Sequence, residues 1–230
     1  TRTAVSVGAL ITAVALFASL VIMIHSFRRT VEIWTYQTIS GDLFLTPKLN
    51  EINQFRQPIS PAVAAWFQTL DSEIEIVPNR RYFLRYENFP YEFEALDLDV
   101  FLKYADFFWM QGDPDKVRPR LGCGEGVIIS EVFSNRTGLT VGDTFKARIE
   151  TSLVELPVLG VVRDYRSQGG VVFYSLEHFK ARYHDPQWSG LRFFFQDRRQ
   201  DLDRAVADLR QTIIERWGDY LEMVNGRDLR

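Results

Sequence analysis

The stretch VGDTFKARIETSLVELPVLGVVRDYRSQGG, residues 141–170, contains neither His nor Cys, and its reading decides the fold. Gly142-Asp143 is a turn signal: Gly permits left-handed backbone, and Asp supports a turn by local hydrogen bonding. Beyond it Phe145, Ala147 and Ile149 alternate with Thr144, Lys146 and Arg148, which predicts a half-buried strand. Leu156–Val162 reads as a second strand, with Pro157 placing its start at an edge or a bulge. Asp164-Tyr165 then marks where the chain leaves this β-rich region. Upstream, VIIS is a short strand, and a helix follows from near Ser130 to Gly138. Before it, GDPDKVRPRLGCGEG reads as loop-rich. Residues 98–165 therefore read as a small β-rich lobe.

Working outward, the flanks alternate β and α. DLFLTP (42–47) is a short strand ended by Pro. ISPAVAAWFQTL is a helix with Ser60 as N-cap candidate, Pro61 in the first turn, and Val63, Trp66, Phe67 and Leu70 on one face. SEIEIVPNRRYFLRYENF alternates in two strand-like pieces around its Pro-Asn. On the far side come a strand (VVFYS), a short helix (LEHFKARY) and a strand (LRFFFQD). A longer helix with Leu202, Val206, Leu209 and Ile213 on one face stops at Gly218, and YLEMVN is a last strand. Two β-α-β units thus flank an insertion, and the fold class is α+β.

The first segment has a different character. Val5–Ile24 is twenty residues without a charge. As a helix it spans about 30 Å, the thickness of a bilayer core. It is too long for the apolar region of a cleaved signal peptide, and no small-residue cleavage pattern follows. Gly8/Thr12, Ala9/Ala13 and Ala15/Ser19 are small pairs four apart, a spacing that lets a second helix approach in lipid. With one span and no initiating Met, the chain reads as part of a larger membrane protein. RRTVEIWTYQTIS has no Gly or Pro before Gly41, so the helix is expected to run on as a stalk carrying Val31 and Trp34. Arg28-Arg29 follow the span and only Arg2 precedes it, which taken alone would place the following domain in the cytoplasm.

Composition excludes several functions. Net charge is −3, without the basic face of a nucleic-acid binder. The single Cys123 rules out an internal disulfide, and no base can be named to activate it as a nucleophile. His178 and His184 are six apart, off a common helical face, and no Cys or carboxylate group completes a zinc shell. GCGEG lacks the Lys-Ser/Thr of a phosphate loop. Asp97/Asp99 and Asp201/Asp203 fit helix starts and turns, and Asn135-Arg136-Thr137 matches a glycosylation sequon. Neither catalytic residues, nor a cofactor, nor a metal site is expected.

In this order the segments resemble the FtsX/MacB-like ABC transporter permeases. MIHSFRRTVEIW leading to ISGDLFLTP is similar to the junction before an extracytoplasmic domain, and suits the second such domain of a long permease. VIISEVFSNRTGLTVGDTF resembles the family's strand, helix and Gly-Asp turn. LPVLGVVRDYRSQGGVVFYS resembles the strand that leaves the inserted lobe and re-enters the main one. The resemblance implies a transmembrane helix (1–27), a stalk helix (28–41), a porter-like lobe in two parts (42–97 and 166–230) and an inserted β-rich lobe (98–165). It gives Gly142, Asp143, Asp164 and Tyr165 an architectural role, and Val31 and Trp34 a place on the coupling stalk. The implied activity is no enzymatic reaction. It is relay of motion from a cytoplasmic ABC ATPase subunit, for export or extraction of a lipid, lipoprotein or peptide-like substrate. Implied partners are that ATPase, other permease helices or a second permease half, and membrane lipid. The implied location is the inner (plasma) membrane, with residues after about 28 outside the cytoplasm. The ectodomain of a membrane-anchored sensor is the alternative. A permease chain must leave and re-enter the same membrane, so on that reading the two base strands, 42–47 and 220–225, are expected to lie together, with the inserted lobe projecting away from them.

Overall fold

The computed structural model describes residues 2–38, 41–50, 52–53, 57–70, 74–149, 152–164, 166–195 and 202–225. Helix α1 (Arg2–Thr38) is continuous from the apolar run into the stalk. Thr3–Val31 is long and apolar enough to cross a membrane, and none of its apolar core is buried against the rest of the protein. An apolar helix with no protein covering it has lost no contact with water unless lipid supplies the cover.

Beyond α1 come β1 (Leu43–Pro47), α2 (Pro61–Phe67), β2 (Ile74–Tyr86), β3 (Phe89–Leu96), α3 (Leu98–Tyr104), β4 (Phe108–Gln111) and α4 (Pro114–Gly122). They are followed by β5 (Val127–Ser130), α5 (Glu131–Thr137), β6 (Thr144–Ile149), β7 (Ser152–Arg163), β8 (Val171–Ser175), α6 (Leu176–Tyr183), β9 (Gly190–Phe195), α7 (Leu202–Trp217) and β10 (Leu221–Asn225). The strands form one mixed sheet in the order β10-β1-β9-β2-β3-β8-β5-β7-β4, with β6 paired to β7 off this path. β3 with β8 and β5 with β7 are parallel; the other pairs are antiparallel.

Base strands β1 and β10 are direct neighbours, with Leu43 opposite Asn225 and Pro47 opposite Leu221. At the other end of the sheet stand β5, β7 and β4, all from 98–165. The expected juxtaposition of the two base strands, away from the inserted segment, is therefore present.

Four sequence readings need correction. The stretch expected as loop contains α4: Asp113 caps it by accepting from the Asp115 N–H, Pro114 occupies the first turn, and Val117 and Leu121 are buried. Pro-Asn does not divide β2, which runs through Pro78 as one strand, with Pro78 opposite Leu191. β7 begins at Ser152, so Pro157 lies inside it, beside a register shift at Val158–Gly160 that absorbs the irregularity. Ser60 precedes α2 as expected but makes no side-chain cap; its N–H donates instead to the Tyr220 hydroxyl.

Three apolar cores stabilise the sheet. One lies between β1, β9, α2 and α7, centred on Leu45, Phe67, Phe193 and Ile213. A second, rich in aromatic rings, joins Tyr91, Phe93, Phe133, Phe145, Tyr174 and Phe179. The third sits under α3 and α4, on Phe101, Leu121, Ile128, Val162 and Phe173.

Candidate coupling site

The Gly142-Asp143 turn is built from local chemistry. Gly142 has φ +98°, in the region that favours glycine, and donates to the Val158 carbonyl at 2.9 Å. The Asp143 carboxylate accepts from the Thr140 N–H at 2.8 Å and from its hydroxyl at 3.1 Å. The Asp143 carbonyl accepts from Val158 N–H at 2.8 Å. This tight cradle starts β6 in register with β7, Thr144 opposite Pro157.

Val31 lies on α1, partly exposed, and Trp34 lies on the same helix beyond it. Tyr165 falls outside the described residues. Asp164 is buried, and it leads to the principal polar feature of the domain.

That feature centres on Glu94, which has no exposure to solvent. Its Oε1 accepts from Asn79 Nδ2 at 2.6 Å, from Arg192 Nη2 at 3.1 Å and from Arg81 Nε at 3.2 Å. Its Oε2 faces Arg166 Nη2 at 3.0 Å, an ion-pair distance without hydrogen-bond alignment. Arg166 also holds Asp164 at 2.9 Å, and Arg81 reaches Glu92 at 3.4 Å. Three carboxylates thus oppose three guanidiniums, so the cluster is neutral as a whole.

Electrostatics sorts the members. Burial alone would push the Glu94 carboxyl up, but Arg81, Arg166, Arg192 and the Asn79 amide hold it far below the usual carboxylate range. Burial raises Glu92, with Arg81 opposing and Glu94 reinforcing the rise. Burial pulls Arg192 down to about 10, which still leaves it charged at neutral pH. Burial likewise weakens Arg166's charge, but the surrounding Asp164, Glu94 and Glu92 more than restore it. The mutual pairing of these mostly buried charges ties together the strands that supply them.

A second polar group lies on the opposite face. Arg80 Nε pairs with Asp185 at 2.7 Å, the Tyr82 hydroxyl donates to the same carboxylate, and Arg80 Nη1 donates to Ser189 Oγ at 3.0 Å. Of these two groups, sequence reasoning singled out Asp164 alone. Nothing local to YEFEAL names the counterions of Glu94, because Arg166 and Arg192 lie far along the chain. No constellation of three or more His, Cys, Asp or Glu suited to a metal occurs among the described residues. Asp97 caps α3 through the Val100 N–H, and Asp99 occupies its first turn. His178 packs over Gly124, and His184 ends α6.

An α+β domain with adjacent first and last strands follows an apolar helix long enough to cross a membrane, and its fold is similar to that of the MacB periplasmic region. The periplasmic region of MacB from Actinobacillus actinomycetemcomitans superposes with a TM-score of 0.51, at 11% identity, over 83% of this chain and 92% of that one. The extracellular domain of the ABC-type transporter YknZ from Gram-positive bacteria aligns at TM-score 0.47 and 14% identity, over 74% of this chain and 94% of that one. In sequence the chain is 25% identical, over 196 residues, to an uncharacterized ABC transporter permease protein of Mycobacterium tuberculosis, Rv0987. That match takes in 80% of this chain and 22% of the relative's length. No family model matches. Fold and sequence comparison together support the resemblance to FtsX/MacB-like permeases, and the chain spans about a fifth of the length of the permease it matches.

Proposed function

We propose that the chain serves an ABC transporter permease as a relay, passing ATPase-driven motion from the membrane to the extracytoplasmic side. The pairing of β1 with β10 carries this reading. α1 delivers the chain to Leu43, and Asn225 lies opposite Leu43 on the neighbouring strand. The chain therefore leaves the domain beside the point where it arrived, the geometry a domain inserted between two membrane segments requires. A cytoplasmic ATPase subunit binds the permease elsewhere, and the small-residue face of α1 packs against other permease helices or a second half. The transported substrate is a lipid, lipoprotein or peptide-like molecule, and the membrane is the inner (plasma) membrane. Residues 98–165 act as a lobe inserted into the porter-like parts 42–97 and 166–230, with Gly142, Asp143, Asp164 and Tyr165 shaping its turn and its exit.

Coupling runs through the stalk. From Phe27 to the end of α1 there is neither Gly nor Pro, so a displacement of the span is carried over a length of the order of 20 Å as a rigid rod. Val31→Pro or Trp34→Pro removes a helical hydrogen bond and clashes with the preceding turn, at about 3 kcal/mol. Either variant, in the full permease, should abolish transport while leaving membrane assembly and ATP binding by the partner subunit intact. Normal transport by a well-expressed stalk-proline variant would show that the stalk is only a tether.

A further inference from the structure

The sheet contains a discontinuity that the strand order alone conceals. β2 pairs with β9 along Ile74–Asn79 and with β3 along Asn79–Tyr86. One residue, Asn79, is flanked on both sides, by Gly190 and by Leu96. The ladder is thus two sub-sheets that share a strand but overlap at a single position. On one side are β10, β1, β9 and the first half of β2; on the other are the second half of β2, β3, β8, β5, β7 and β4.

The chain passes between these parts twice. The first passage is β2 at Asn79, and the second is the segment 184–189 between α6 and β9. The two passages run side by side and are tied together. Ser189 N–H donates to the Asn79 carbonyl at 2.8 Å, and Ser189 Oγ accepts from Arg81 N–H at 3.0 Å. Arg80 reaches both Asp185 and Ser189. On this face Ile76 belongs to the core of the first part and Tyr82 to the aromatic core of the second, with Pro78 and Arg80 at the alternate positions between them. The two cores have no member in common.

We propose that the domain is hinged at this line, so that the body holding β1, β9, β10, α2 and α7 and the body formed by 80–183 turn against one another about Asn79 and Ser189. Rotation there disturbs few ladder hydrogen bonds, since only Asn79 is paired on both edges, and hinges concentrate backbone change in a few such residues. On the opposite face Val77 and Phe194 of the first body pack into the buried core under α3 and α4, and polar or partly exposed contacts flank them. Arg192 of β9 meets Glu94 of β3 at 3.1 Å, Tyr104 of α3 stacks on Phe194 of β9 at 4.7 Å, and Lys103 pairs with Glu75 at 3.5 Å. These contacts hold one setting of the hinge, and weakening them shifts the population toward another. The hinge operates whether or not α1 carries a transporter's motion.

Spin labels on the full chain in detergent micelles test this. One label goes on the exposed Cys123 of the second body, the other on α7 of the first through Ile214→Cys. The control pairs Cys123 with Leu153→Cys, both within the second body. Arg192→Met leaves Arg81, Arg166 and Asn79 on Glu94, and should make the 123–214 distance distribution at least about twice as wide, or move its maximum, with the 123–153 distribution unchanged. If Arg192→Met does not fold, Tyr104→Ala reads the same contact line through a half-exposed ring. A 123–214 distribution that stays as narrow as the control in the folded variant overturns the hinge, and so does equal broadening of both pairs.

Discussion

Glu94 shows how one side chain carries the consequences of its surroundings. Its folded pKa lies below the value near 4.5 of an unfolded Glu, so it contributes stability above pH 4.5 that is lost as pH falls toward the folded value. Glu92 is raised and has the opposite sign: its contribution is present below pH 4.5 and lost as pH rises through its folded pKa. Glu94→Gln should therefore destabilise the fold at pH 7 by about 3–5 kcal/mol, because three guanidiniums lose their central partner. It should also flatten the acid side of a denaturation-midpoint curve, leaving the smaller slope from Asp185, whose carboxyl is likewise held low. An unchanged acid slope in the variant would remove Glu94 from this role. Two glycines make a contrasting pair. A Cβ on Gly169 would sit 1.6 Å from the Pro90 carbonyl oxygen, whereas one on Gly138 would meet nothing within 4 Å. Gly169→Ala should cost more than about 4 kcal/mol or prevent folding. Gly138→Ala pays only for its left-handed backbone, about 1–2 kcal/mol. Comparable midpoints for the two in urea would contradict that steric account. Neither the counterions of Glu94 nor the close neighbour of Gly169 was legible in the sequence, because both come from segments distant along the chain.

Elements were more readable, wherever local signals agree. Ser130 caps α5 by accepting from Phe133 N–H, Gly138 ends it in the left-handed conformation, and the Gly-Asp turn launches β6, all from residues within a few positions of one another. The alternation of Phe145 and Ile149 with Thr144 and Arg148 matches which of them are buried. α4 was missed because its Pro, Gly and charges suggest loop, while only Val117 and Leu121 supply an apolar face. The unity of β2 was missed because Pro78 looks like a breaker. There β9 is the partner, and the strand keeps its course through the ladder on either side. α1 offers an element-scale prediction. Its apolar core touches nothing in the domain, so removing residues up to Ser26 uncovers no buried surface. The shortened chain should be soluble without detergent and give a single cooperative unfolding transition; aggregation or a loss of cooperativity would mean that α1 completes the fold.

For the whole molecule, the alternation of strands and helices was legible as a pattern, and the single sheet that unites the strands was not. Strand order depends on long-range pairing, such as β3 with β8 and β1 with β10, for which a single sequence gives no register. Orientation in the membrane is where two arguments oppose each other. Arg28 and Arg29 after the span favour a cytoplasmic domain by charge alone. The proposed permease role places the domain on the outside instead, and in a multi-span permease short-loop charge is only one influence on orientation. Cys123, the one cysteine of the chain, is exposed and lies in the domain, which makes it a reporter of the side on which the domain stands. Spheroplasts expressing the full permease, with any other cysteines replaced by serine, are treated with a membrane-impermeant maleimide before and after lysis. An extracytoplasmic domain predicts full labelling of Cys123 in intact spheroplasts and no labelling there of a Cys123→Ser chain. Labelling of Cys123 only after lysis would place the domain in the cytoplasm and contradict the account.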